Sequence, residues 1–194
     1  MKINSIQVAQ ARKVNIGGRN ILTAIHKTAV VGRVPVGVLG LIGDEQADLS
    51  VHGGLEKAVY AYPSEHYEFW RRQRQQAGVA DSADMDDQLK PGAMGENLTL
   101  SGVLESQVWV GDVLQFANCT LRVAQPREPC YKFDAAMGFN TAAKAMAKSG
   151  FCGFYLSVDQ PGSLQAGESF ELLPGSRQTG IPELFKARIF KHLR

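Results

Sequence analysis

No two cysteines in this 194-residue chain are spaced as CxxC, and its four histidines nowhere recur as HxxxH. A structural zinc site is therefore not expected. The three cysteines are Cys119, Cys130 and Cys152. An odd count in a chain without secretory features argues against a disulfide framework, and three thiols cannot hold a four-cysteine iron–sulfur cluster. The glycines at 32, 37, 40 and 43 do not form GxGxxG, so a Rossmann nucleotide site has no support. No stretch approaches the roughly 18 apolar residues of a membrane span. The N-terminal "MKINSIQVAQ" carries no signal-peptide core, so a soluble, cytoplasmic protein is expected. Neither charge dominates: 21 Lys and Arg face 19 Asp and Glu, and a net +2 argues against a polymeric nucleic-acid partner.

What is present is an apolar fraction of 44%, enough for an ordinary core, carried mostly in short alternating runs. "NILTAIHKTAV" and "VPVGVLGL" alternate with period two and predict strands, as do "GENLTLSG", "VWVGDVLQFANCTLRVAQ", "FCGFYLSV" and "ESFELL". Between them, "PSEHYEFWRRQRQQAG" predicts a helix stopped by Gly78, with Arg71, Arg72 and Arg74 on a solvated face. Residues 79–93 are acidic and turn-rich and suit a surface loop. "FNTAAKAMAKSG" predicts a helix capped by Asn140 and Gly150, and "IPELFKARIFKH" a closing amphipathic helix. Many short strands with few helices imply a mainly β barrel or sandwich with helical decorations.

Three clusters can carry chemistry. In "VHGGLEK", His52 precedes Gly53 and Gly54, whose backbone can approach an anion, and Lys57 adds charge. A tight turn with a satisfied histidine is the plain alternative. "GAMGENL" places Glu96 and Asn97 after a glycine turn, where they can hold a ligand or simply stabilise the turn. "QPREPCYKF" sets Cys130 on a loop stiffened by Pro126 and Pro129, with Arg127 and Lys132 close by. A thiol there is a nucleophile, a metal ligand or a buried packing group. Cys119 at a hairpin corner and Cys152 among apolar neighbours are read as packing cysteines.

Taken together, "GDEQADLSVHGGLEKAVYAY", "GAMGENLT", "GVLESQVWVGDVLQF", "LRVAQPREPCYK" and "GFCGFYLSV" resemble the MOSC family, named for the C-terminal domain of molybdenum cofactor sulfurases. The resemblance spans roughly Gly43 to Val158 and is nearest to the bacterial branch linked with resistance to 6-N-hydroxylaminopurine. It implies a MOSC-type β-barrel over residues 1–175 and a C-terminal helical tail over 176–194, where longer members carry a further helical segment. It also implies a molybdenum–pterin cofactor, with Cys130 as the protein's ligand to the metal. Lys57, Arg127 and the Gly53–Gly54 backbone then suit the cofactor phosphate, Lys132 and Arg127 favour the thiolate, and Glu96 and Asn97 complete the cofactor-binding set.

The activity implied is reduction of N-hydroxylated compounds such as hydroxylaminopurines, with Cys130 anchoring the metal and His52 orienting pterin or delivering a proton. Without an iron–sulfur cysteine set or a dinucleotide motif, electrons are expected from a partner reductase. Two alternatives stay open. One is a carrier that holds cofactor or a sulfur atom and delivers it. The other is a cysteine hydrolase in which Cys130 attacks and His52 acts as base.

Overall fold

The computed structural model describes residues 1–47, 53–79 and 89–191. The amino-terminal part is a series of short strands: β1 (Lys2–Val8), β2 (Arg12–Ile16), β3 (Arg19–Thr23), β4 (Thr28–Ala29), β5 (Arg33–Gly37) and β6 (Gly40–Leu41). Next come β7 (Val59–Pro63), helix α1 (Tyr67–Gln76), β8 (Leu98–Ser101), β9 (Val113–Gln115) and β10 (Thr120–Pro126). Two short helices follow, α2 (Tyr131–Met137) and α3 (Ala142–Ser149), and then β11 (Phe154–Gln160), β12 (Gly162–Gln165), β13 (Glu171–Leu173) and α4 (Ile181–Lys191).

Eight strands form one sheet in the order β13-β9-β10-β11-β7-β8-β1-β4. β7 runs through its middle and is buried along its whole length, which explains an apolar run without alternation. Its pairing with β8 is parallel, so the chain must cross over between them, and α1 lies in that crossover. The other pairs in this sheet are antiparallel. β5, β6 and β12 make a second small sheet, and β2–β3 a separate hairpin.

The architecture is mainly β with helical decorations, as the short strands suggested, but no sheet closes into a barrel among the described residues. The reason lies in how β1 spends its second edge. The segment before β13 returns beside β1 and meets it through Ile3 N–H to Glu168 O at 2.9 Å, Gly167 N–H to Ile3 O at 2.7 Å and an isolated Lys2–Ser169 bridge. The C-terminal half of that edge is taken by β4 instead, at Gln7 and Val8. The return contact therefore stays local and no ladder joins β13 to β4.

Local expectations fare unevenly for physical reasons. Gly78 and Gly150 both adopt positive φ at the ends of α1 and α3. Glu68 pairs with Arg72 at 3.0 Å on the exposed side of α1, yet Arg74 is buried, so the basic cluster does not share one solvated face. Asn140 does not cap α3. Thr141 holds that position without a side-chain cap bond, and the Asp134 carboxylate of α2 accepts the Ala143 N–H at 2.7 Å instead. Helix α2 begins directly after Cys130, where the sequence suggested only a loop. Cys119 and Cys152 are fully buried, and burial pushes the Cys119 thiol up to about 11. The tail docks on the sheet through buried Ile181 and Phe185. Among the described residues no helix is long and apolar enough to cross a membrane.

One glycine sets how closely β7 and the start of β11 approach. Gly153 has φ +62°, and a Cβ there would lie 2.5 Å from Ala61 O and within 2.9 Å of both the Tyr60 and Tyr62 rings. Gly153→Ala should therefore cost about 2–4 kcal/mol, from left-handed strain plus overpacking. Urea unfolding monitored by circular dichroism checks this; an unchanged midpoint would mean that β7 and β11 do not pack as described.

Candidate functional site

The loops that lead into β7 and β8 and the one that leaves β10 converge on a single cleft, with about 690 Å³ of space between its walls counting the open mouth. Cys130, Arg127, Lys132, Lys57 and Asn97 all line it. Residues separated by up to 75 positions in sequence thus share one surface. Thr23, Lys27, Asp44, Gln46, Tyr60 and Tyr155 line the same cleft and were not singled out by sequence.

Cys130 sits in extended geometry (φ −139°, ψ 168°) at the turn into α2, half-buried, and its carbonyl accepts the Phe133 N–H at 2.9 Å. The prolines on its N-terminal side and the helix on its C-terminal side fix where the sulfur stands. Arg127 is buried between aromatic faces, its guanidinium carbon 5.1 Å from the Tyr60 ring centre and 4.7 Å from that of Phe133. It donates to Met94 O at 2.7 Å and to the Tyr60 hydroxyl at 3.5 Å. No carboxylate among the described residues pairs with it. A guanidinium stays protonated, so this buried positive charge on the cleft wall favours an anion nearby.

Further cations flank it. Lys57 Nζ stands 5.9 Å over the Tyr155 ring, and Lys132 Nζ donates to Leu22 O at 3.3 Å, tying α2 to the β2–β3 hairpin. Among the described residues that line the cleft, four cationic side chains, Lys27, Lys57, Arg127 and Lys132, face two carboxylates, Asp44 and Glu45, so this described lining is net positive. Burial also raises the phenols of Tyr60 and Tyr155, so both stay neutral beside it.

The glycine turn behaves differently from the sequence expectation. Gly54 has φ +85°, but its N–H is taken by Gln46 Oε1 at 2.9 Å, so it has no amide left for a ligand. Gln46 in turn donates to Leu39 O at 3.1 Å and fastens the turn to the cleft edge. Gly53 and Gly54 are not among the residues that line the cleft. His52 lies outside the described residues.

Glu96 and Asn97 part company. Asn97 lines the cleft and knits three segments: its Oδ1 accepts Tyr60 N–H at 3.0 Å, and its Nδ2 donates to Gln7 O at 3.2 Å and Asp44 Oδ2 at 2.8 Å. Glu96 turns away and is fully buried behind the wall. Its carboxylate accepts from the Tyr67 hydroxyl, from Gly92 N at 2.7 Å, Met94 N at 3.0 Å and Thr99 Oγ1 at 2.8 Å. Its role here is to shape the turn that presents Met94 O to Arg127.

The donor set suits a soft, anionic ligand group: one thiol, basic side chains and, among the described residues, no cluster of three or more metal-ligating side chains. A metal seated at Cys130 would therefore bring its remaining ligands with it.

Comparison with known proteins identifies the family of the chain. The family model for the MOSC domain matches residues 48–171. Protein YiiM of Escherichia coli is 37% identical over 171 residues, covering 88% of this chain and 72% of that protein. A protein of Gibberella moniliformis named "Reductase" is 31% identical over 169 residues, covering 87% of this chain but only 28% of that longer protein. The crystal structure of YiiM from Geobacillus stearothermophilus superposes with a TM-score of 0.74 at 30% identity, covering 99% of this chain and 84% of that one. The chain belongs to the MOSC domain family.

Proposed function

We propose that this chain is a molybdenum-cofactor-dependent reductase of N-hydroxylated compounds that takes its electrons from a separate donor. The observation that carries the reading is the convergence of Cys130, Arg127, Lys57 and Lys132 on one cleft. A molybdenum–pterin phosphate fits these residues: a thiolate is a soft ligand, and a buried guanidinium without a carboxylate partner among the described residues complements a phosphate. Cys130 would hold the metal, and Arg127, Lys57 and Lys132 the anionic end. When bound, the group supplies a two-electron centre for N–O bond reduction.

The protein's own part is positional and electrostatic. Pro126, Pro129 and α2 hold the sulfur still, and the Met94 carbonyl holds the guanidinium. Asn97 and Gln46 fix the opposite wall. The relative named a reductase supports the reaction class, since this chain matches a segment of it. Cys119 and Cys152 are buried in the core, so within these 194 residues no cysteine set is available for an iron–sulfur relay. The electron donor in this reading therefore lies outside these residues.

The test uses protein made in a host that synthesises the cofactor. Loaded chain with a chemically reduced viologen should convert an N-hydroxylated base to the amine, whereas NADH alone should not. Rapid turnover with NADH alone would refute the separate donor. Reversible cofactor binding with no turnover under either reductant would instead mark a carrier.

A further inference from the structure

Resting on the reductase reading, we propose that Lys27, held by Asp44, is the proton donor to the oxygen that leaves the substrate. Lys27 follows β3 on the strand-free link to β4 and lines the cleft. Its side chain is only 8% exposed, and Nζ is ion-paired with Asp44 Oδ1. An ammonium has three N–H donors, and this is the one acceptor that Lys27 meets among the described residues. Among the described residues, two donors of this buried cation on the cleft wall thus have no acceptor.

Asp44 is built to aim that cation. Its Oδ1 also accepts Ala9 N–H at 2.8 Å, and its Oδ2 accepts Asn97 Nδ2 at 2.8 Å. Those two neutral donors fix the carboxylate, and the fixed carboxylate fixes the ammonium. The surroundings bear on its acidity. Asp44 and buried Glu96 favour the charged form. Among the described residues, the other titratable groups lining the cleft are Glu45, Lys57, Arg127, Lys132, the neutral phenols of Tyr60 and Tyr155, and the Cys130 sulfur. Burial outweighs the acidic neighbours and lowers the Lys27 pKa, which makes it a better acid than a surface lysine.

The chemistry balances. R–NH–OH takes two electrons, supplied by the reduced donor, and two protons. The N–O bond breaks, one proton passes from Lys27 Nζ to the departing hydroxyl to give water, and the other reaches nitrogen from solvent to give R–NH2. Lys27 then regains its proton from water at the cleft mouth.

Lys27→Arg tests the assignment, because arginine keeps the charge but is a very weak acid. With viologen as electron source, kcat should fall by about 100-fold or more while KM stays within about threefold. The wild-type kcat should decline as pH rises through the Lys27 pKa, below the ordinary lysine range near about 10.4, and Lys27→Arg should lose that limb. Molybdenum and pterin content should equal wild type. In cofactor-free protein, 13C-lysine NMR should show one resonance, missing in Lys27→Arg, that titrates below the others. Retained kcat in Lys27→Arg would reduce Lys27 to a charge anchor, and lost cofactor would make it a cofactor-holding residue; either overturns the proposal alone. No reduction by loaded wild type would sink the reductase reading and this proposal with it.

Discussion

Cys130→Ser should abolish reduction of N-hydroxylated compounds, lowering kcat by at least about 100-fold, since even residues that only support a metal ligand cost 10–100-fold when removed. The same variant should melt within about 3 °C of wild type, because losing a half-buried thiol for a hydroxyl costs well under 1 kcal/mol. Serine is nearly isosteric, and the backbone that places residue 130 is set by Pro126, Pro129 and the first turn of α2. What changes is the softness and ionisation of one atom. Loss of activity with an intact fold is the signature of a ligand. Full activity in Cys130→Ser would mean that the cleft works without that sulfur, and a collapse in stability would mean that the thiol is a packing group after all.

The largest expected loss of stability lies one layer behind the cleft. Glu96→Ala should destabilise by about 3–5 kcal/mol, because four buried donors lose their shared acceptor at once. Glu96→Gln keeps the volume and one acceptor oxygen, and its cost should be about 1–3 kcal/mol. The pH dependence has a definite sign. Burial holds the Glu96 carboxyl above its ordinary range, with the donations from Tyr67, Gly92 and Thr99 pulling the other way. A group whose folded pKa exceeds its unfolded value contributes stability that is complete below the unfolded pKa and declines as pH rises through the folded one. The advantage of wild type over Glu96→Gln should therefore be greatest below about pH 4 and shrink on the alkaline side of that. Chemical denaturation at a series of pH values measures it. An advantage that grows with pH would show that the four donors, not burial, set the charge state.

How far these sites could be read from sequence depends on whether the signal is local. The Cys130 loop was legible because proline acts on its own residue and the one before it. β10, β11 and α4 were legible because alternation and amphipathicity are properties of short windows. Glu96 and Asn97 looked equivalent as neighbours, yet entry into a strand turns successive side chains to opposite sides, so one faces the cleft and the other the core. Lys27, Asp44 and Gln46 carry no such local mark, although "GDEQ" and "AIHK" stand in plain view. Their meaning comes from a meeting across 17 residues and from the cleft that β7 and β10 build, neither of which shows in either stretch. Barrel closure was illegible for a similar reason. Whether β1 gives its free edge to β4 or to the segment before β13 is a competition between distant partners. Arg127 carried a clear chemical hint of anion binding, but its grip on Met94 O and its place between two rings are tertiary facts.

X-ray absorption at the molybdenum edge tests most directly whether the Cys130 sulfur is the protein's bond to the metal. In protein from a cofactor-competent host, wild type should show one more sulfur neighbour around molybdenum than Cys130→Ser, or Cys130→Ser should retain no molybdenum at all. Identical molybdenum content and identical sulfur counts in the two proteins would contradict that bond.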